Sequence, residues 1–214
     1  MKFAEKWVVG VDEAGRGPLA GPITLSAFLA PQNLKRKLIK ILGGKVKDSK
    51  QFSPAKRYVM YREFLRLRKK DKIFFCASHV SNKIIDNRGI SKATQMGISK
   101  SLAKLHKSYD RRICVKIEDT KIRLDGSLKA PEKYANQKTI VGGDSINIFI
   151  ACASIVAKVR RDRLMCRLAS KYPHYALEIH KGYGTALHYS LLRKHGISPI
   201  HRKSFLTKLT DSLK

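Results

Sequence analysis

The sequence is poor in acidic residues. Sixteen Asp and Glu stand against 45 Lys and Arg, giving a formal net charge of +29 and a pI of about 10.3. Solubility needs far less charge than this, so the imbalance argues against an ordinary balanced surface and is the footprint of a nucleic-acid binder. Cysteine is equally sparse: Cys76, Cys114, Cys152 and Cys166 lie far apart with no C-x-x-C pair. That spacing speaks against a zinc ribbon, a redox dithiol or a disulfide framework, and Cys76, Cys114 and Cys152, among apolar neighbours, read as reduced core residues. Long apolar runs are missing as well. The longest, Ile148 to Ala157, is about half of the roughly 20 residues that span a bilayer, and Met1 to Lys6 carries no hydrophobic signal region. A cytoplasmic protein without a membrane partner is expected. No internal repeat or low-complexity linker interrupts the 214 residues, a length that suits one domain with a substantial core.

Because acids are scarce, those in apolar surroundings carry information. The run Trp7-Val8-Val9-Gly10-Val11 reads as a buried strand; it ends in Asp12-Glu13 and is followed by the Gly/Pro-rich stretch Ala14 to Pro22. Buried carboxylates are costly unless they neutralise, pair or hold a metal, so adjacent ones at a strand end suggest a divalent-cation site. Glycines beside them admit backbone N–H groups close to a ligand, and Arg16 is placed to meet a phosphate. The same residues also suit a polar hairpin turn. Acidic ligands inside a basic chain fit phosphodiester chemistry, in which cations on carboxylates bridge to the scissile phosphate while Lys and Arg hold the flanking backbone.

Elsewhere the pattern predicts strands at Trp7–Val11, Ile23–Ala30 and Lys72–Val80, and β-rich pieces at Ile113–Glu118 and Lys121–Leu124. Helices are expected from Ser53-Pro54 to about Lys70, over Ser91–Lys107, from Ile146 to about Leu168 with Asp144 or Ser145 as cap, over Thr185–Gly196, and over Ser204–Leu213. Strands first and then alternating helices and strands indicate an α/β fold with a mixed sheet. Asp125 repeats the setting of Asp12, after Ile122-Arg123-Leu124 and before Gly126, although Asp-Gly is also an ordinary turn signal. Asp162 follows a small, apolar helical stretch, Ile150 to Ala157, that packs well on a sheet and would aim the helix's far end at the rim; its bland alternative is an exposed helical pair with Lys158.

The segment Gly10 to Pro22 resembles the signature of ribonuclease HII, the type 2 ribonuclease H family. Asp48-Ser49-Lys50, Asp125-Gly126, Gly143-Asp144, Ala153 to Val159, Arg161-Asp162, Tyr172-Pro173, His180 to Thr185 and His201 to Phe205 follow in the family's order, so the resemblance covers nearly the whole chain. It implies a ribonuclease H-like fold, a central mixed sheet flanked by helices, with a helical C-terminal region from about 165 to 214 in a single catalytic domain, 1–214. It implies an endonuclease that cuts RNA in RNA–DNA hybrids and incises duplex DNA at embedded ribonucleotides, acting as a monomer. Carried over, the four-carboxylate catalytic and metal site is Asp12, Glu13, Asp125 and Asp162; Gly15, Arg16 and Gly17 contact the ribose 2′-OH and nearby phosphate; Tyr183 stacks on the following deoxyribose.

Hard carboxylate ligands suit Mg²⁺ or Mn²⁺, two of which would serve an in-line displacement leaving 5′-phosphate and 3′-hydroxyl ends. Lys50, Lys158 and Lys181 are candidate phosphate contacts and equally ordinary surface lysines; His180, His188 and His201 suit a groove or a packed interior. The stretch Ile113 to Asp125 is longer and more polar than one strand requires and offers Asp119 as a competitor to Asp125. Charge alone would also fit a non-catalytic binder of ribosomal type. The sister ribonuclease HIII group is disfavoured by Gly15-Arg16-Gly17 and by the expected lack of an additional N-terminal substrate-binding domain.

Overall fold

A computed structural model describes residues 6–110, 112–113 and 115–207. Its centre is a five-stranded sheet in the order β3-β2-β1-β4-β5. Strand β1 (Trp7–Ala14) pairs antiparallel with β2 (Ile23–Pro31), and β2 antiparallel with β3 (Phe74–Val80); β4 (Lys121–Asp125) runs parallel to β1, and β5 (Gln137–Ile140) parallel to β4. The mixed sheet is therefore antiparallel on one side of β1 and parallel on the other.

Alternation along β1 and β2 decides what each face buries. Val8, Phe28 and Ala30 point to a layer built from α1 (Lys35–Ile41), α2 (Pro54–Lys69) and α5 (Ile148–Lys171), where Leu38, Phe64, Cys152 and Val156 are fully buried. Val9, Val11, Leu25 and Leu29 point the other way, onto α3 (Asn82–Tyr109) through Ile98, Leu102 and Leu105. Burying each such side chain contributes about 1.5–3 kcal/mol. Helix α5 crosses β1 so closely that a Cβ on Gly10 would collide with the backbone of Phe149; only glycine permits the approach, which brings Ser154 over the end of the strand.

Local chemistry accounts for the helix starts. Ser53 caps α2, its Oγ accepting from Lys56 N at 3.2 Å, with Pro54 in the first turn. Ser81 caps α3 ahead of the position its periodicity suggested; Gly89, at φ 77°, breaks the helix inside and disguises its first turns. Ahead of α5 the chain makes the single turn α4 (Gly143–Ile146), and Asn147 caps the long helix, its Oδ1 accepting from Phe149 N at 3.0 Å and Ile150 N at 3.3 Å. The expected cap, Asp144 or Ser145, is thus corrected: Asn147 takes that duty, while the Asp144 carboxylate accepts from Ser145 Oγ at 3.3 Å.

A third cluster, with Leu19, Met165, Leu177, Leu192 and Ile200, packs α6 (Leu177–His180), α7 (Ala186–His195) and the closing segment against the far end of α5 and the loop after β1. Ile113–Glu118 is not a strand where described: Ile117–Asp119 forms a 3-10 turn leading into β4. Cys152 is buried, Cys76 half-buried and Cys166 exposed, whereas Cys114 lies outside the described residues. So do Met1 to Glu5 and most of the helix expected over Ser204–Leu213, of which Lys203–Phe205 is a 3-10 turn. Among the described residues no helix is long and apolar enough to cross a membrane.

Candidate active site

The parallel register from Val8↔Lys121 to Val11↔Leu124 sets the next pair, Asp12 and Asp125, side by side at the carboxyl ends of β1 and β4. That edge is where ligands bind in open α/β sheets. Glu13 follows on β1, and the turn after β5 returns Asp144, whose N–H donates to Asp125 Oδ1 at 3.3 Å. These four acids line a cleft of about 620 Å³ together with Gly15, Arg16, Gly17, Lys50, Lys158 and Tyr183.

The acids do not neutralise one another. Burial pushes Asp12, only 4% exposed, well above the usual carboxylate range, and the charges of Asp125 and Asp144 push it further. A hydrogen bond from Ser154 and one from Glu13 N to Oδ1 at 2.7 Å oppose the rise. Ser49 Oγ lies 2.8 Å from Ser154 Oγ, so with Ser154 donating to Asp12 the donors run Ser49 to Ser154 to Asp12. Glu13 is raised by burial, against the pull of Arg16, whose Nη1 is 3.3 Å from Oε1. Its other oxygen, Oε2, is buried without a hydrogen-bond partner. Asp144 is raised by burial, then by the charges of Asp48 and Asp125.

This donor set fits a divalent cation: hard carboxylate oxygens gathered at one edge, a buried orphan, Glu13 Oε2, among them. Among the described residues no three acidic, His or Cys side chains are already gathered as a finished ligand shell. Glu13 leans towards Arg16 instead, as like-charged carboxylates do.

Asp162, expected with these acids, lines the neighbouring pocket instead. It is not part of this group: Oδ1 lies 2.8 Å from Lys158 Nζ and Oδ2 3.5 Å from Arg57 Nη2. The residue of α5 that reaches Asp12 is Ser154, and Asp162 stands two turns further along, about 12 Å at 1.5 Å per residue, in a neighbouring pocket. Asp144, which the sequence offered as a helix cap, lines the cleft beside Asp125. The pairing Gly143-Asp144 was the signal that could have found it. Asp119 is exposed in the 3-10 turn before β4 and does not reach the cleft.

Lys50 and Lys158 line the cleft, whereas Lys181 faces the neighbouring pocket with Arg57 and Tyr58, its Nζ donating to Glu178 O. Arg57, missed in the sequence, is buried and donates to Ser49 O at 3.0 Å and Phe52 O at 2.6 Å, fixing the loop that carries Lys50. Tyr183 is 38% exposed at the cleft wall, its ring 5.6 Å from both Lys158 Nζ and the Arg161 guanidinium carbon. The histidines are interior. His180 stacks on His188 at 4.2 Å, and His188 Nε2 lies 3.1 Å from His201 Nε2. Burial holds His188 and His201 down to about 4, so they are neutral rather than groove cations.

Comparison with known proteins gives this geometry its context. The family profile described as Ribonuclease HII matches residues 9–208. The chain is 42% identical over 198 residues to the Ribonuclease HII of Dehalococcoides mccartyi, covering 92% of this chain and 84% of that protein. The crystal structure of ribonuclease H2 from Pyrococcus horikoshii OT3 superposes with a TM-score of 0.66 at 25% identity, covering 97% of this chain and 98% of the other. Bst-RNase HIII in complex with Mn²⁺ shares the fold with a TM-score of 0.73 at 17% identity, covering 100% of this chain and 72% of that one. The chain belongs to the ribonuclease HII family, metal-dependent endonucleases that hydrolyse phosphodiester bonds in the RNA of RNA–DNA hybrids.

Proposed function

We propose that this cleft incises duplex DNA at embedded ribonucleotides as well as the RNA strand of hybrids, by hydrolysis that leaves 5′-phosphate and 3′-hydroxyl ends. The observation that carries the reading is the convergence of Asp12, Glu13, Asp125 and Asp144 with Gly15, Arg16, Gly17 and Tyr183 in one cleft. The four carboxylates would hold Mg²⁺ or Mn²⁺, two ions when substrate is bound, and the chemistry supplied there would be activation of a water and stabilisation of charge on the leaving oxygen. Ser154 orients Asp12 through its hydrogen bond. Lys50 and Lys158 meet the flanking phosphates, and Lys158, shared with Asp162 at 2.8 Å, is held in place for that contact.

Selectivity has its own residues. A 2′-OH distinguishes RNA from DNA, and the glycine backbone at 15 and 17 admits a ribose close enough to test for it, with Tyr183 packing on the sugar beyond. In this reading 1–214 is one catalytic domain working as a monomer in the cytoplasm. The test is a labelled DNA duplex with one ribonucleotide, incubated beside a long RNA–DNA hybrid with and without Mg²⁺ or Mn²⁺, and the ends of the products mapped. Ion-dependent cutting of both supports the reading; cutting of the hybrid alone would remove the embedded-ribonucleotide activity.

A further inference from the structure

Among the described residues, Arg161 on α5 and Arg202 beyond α7 are the two largest side chains buried completely. Buried guanidinium groups ordinarily meet a carboxylate; these are spent on backbone carbonyls. Arg161 donates from Nε to Pro22 O at 3.1 Å, from Nη2 to Ala20 O at 3.3 Å and from Nη1 to Lys181 O at 2.9 Å. Arg202 donates from Nε to Gly21 O at 2.9 Å, and from Nη1 to Arg16 O and Nη2 to Gly15 O, both at 2.7 Å. Five of the six acceptors lie in the loop after β1. The sixth precedes Tyr183 by two residues.

Peptide geometry turns this into a prediction about the cleft. In a planar trans peptide the C=O and N–H point in opposite directions. Drawing the carbonyls of Gly15 and Arg16 inward to Arg202 therefore turns the N–H groups of Arg16 and Gly17 outward, and among the described residues neither donates to another group. Gly15, at φ +89°, supplies the left-handed backbone the turn needs, and a Cβ there would collide with the Arg161 side chain. Successive outward N–H groups form an anion-binding concavity. The loop is also tied to the Tyr183 segment, with Leu19 N donating to Gly182 O at 2.8 Å and Arg202 N to Leu19 O at 2.8 Å.

We infer that Arg161 and Arg202 are positioning residues for substrate reading: Arg202 presents the N–H groups of Arg16 and Gly17 to a phosphodiester oxygen, and Arg161 sets the distance from that pair to the Tyr183 ring. The inference rests on the proposed function and adds to it the cause of the geometry. A planar, five-donor fork does this; an ammonium on a flexible stem does not.

The test replaces each by lysine, keeping the charge and losing the fork. For Arg161→Lys, kcat/KM on a duplex with one ribonucleotide should fall on the order of a hundredfold, the loss expected from a shift of about 1 Å in a reading group. The loss on a long hybrid should be at least about tenfold smaller, and adding Tyr183→Ala should cost little more, because the two act on one contact. Equal losses on both substrates that add to those of Tyr183→Ala would reduce Arg161 to a packing residue. Should the variants melt below the assay temperature, the unaltered protein answers instead. The amide resonances of Arg16 and Gly17 should shift on adding the ribonucleotide duplex without divalent ions, and unmoved amides would overturn the role of Arg202. Unaltered enzyme that cuts neither substrate would contradict the functional reading itself, whereas cutting of both with equal losses contradicts only this inference.

Discussion

Asp12 and Arg161 are both buried charged residues at the same edge of the sheet, and their surroundings treat them in opposite ways. Arg161 has each side-chain nitrogen matched to a carbonyl. Asp12 faces Asp125 and Asp144, beside a Glu13 oxygen with no partner. The satisfied region is a frame; the other gathers carboxyl groups that burial first, and mutual repulsion second, hold towards their neutral form. Burying charge is therefore no sign of function in itself. What separates the two regions is whether the protein completes the charge's hydrogen bonds or leaves them to a ligand.

The largest expected effect breaks the unsatisfied region. Asp12→Asn or Asp125→Asn removes charge that holds the ion and should lower ion-dependent cleavage on the order of a thousandfold, with the fold intact by circular dichroism. A variant retaining more than about a tenth of the activity would show that its carboxylate is not a ligand.

Next is the wall between the regions. Tyr183→Ala should lose about ten- to a hundredfold at a single embedded ribonucleotide, the value of one lost stacking contact, and much less on long hybrids, where other registers remain. Tyr183→Phe should stay near the unaltered rate. Equal losses accompanied by a lowered melting temperature would make Tyr183 a packing residue of its turn.

A smaller effect sharpens the comparison through pH. Asp12 is raised in the folded state, so its ionisation costs stability that appears as pH climbs above the unfolded value near 4. In ion-free buffer Asp12→Asn should raise the melting temperature at pH 7.5, by about 2–4 °C for each kcal/mol of burial cost and repulsion removed, and the gain should vanish below about pH 4. A gain independent of pH would refute a cost of ionising Asp12 in its buried site. The interior histidines work in the opposite direction. His188 and His201 are held down to about 4, so the unfolded chain takes up protons first and stability falls as pH drops from about 6.5 towards 4; replacing His201 by Gln should flatten that decline. Smallest in mutational terms, salt should weaken substrate binding with a log–log slope of about −0.9 per phosphate contact.

The site was legible where chemistry and local pattern agree. Asp12, buried, and Asp125, half-buried, each follow apolar residues at a strand end, so their place at the sheet's edge could be read directly, and the parallel register does the rest. Asp144 was hidden because an acid before a long helix looks like a cap; nothing local says that Asn147 will cap instead. Asp162 misled for the converse reason. Its apolar neighbours upstream do pack on the sheet, but the sequence does not fix where along α5 the strand ends pass, and that point is Ser154. Strand β5 went unseen because Gln137–Ile140 is a short, polar edge, and α1 because Lys35–Ile41 has Lys or Arg at four of its seven positions. Arg161 and Arg202 were hidden in plain view: one arginine among 45 basic residues has no signature until its carbonyl partners, far away in sequence, are in place.

The most direct test sets Asp144→Asn beside Asp162→Asn, measuring Mn²⁺-dependent cleavage of a duplex with one ribonucleotide and Mn²⁺ binding by calorimetry. Asp144→Asn should abolish cleavage and weaken ion binding, while Asp162→Asn should keep its ion affinity and stay within about tenfold of the unaltered rate. Loss of ion binding in Asp162→Asn, with Asp144→Asn unaffected, would contradict that expectation.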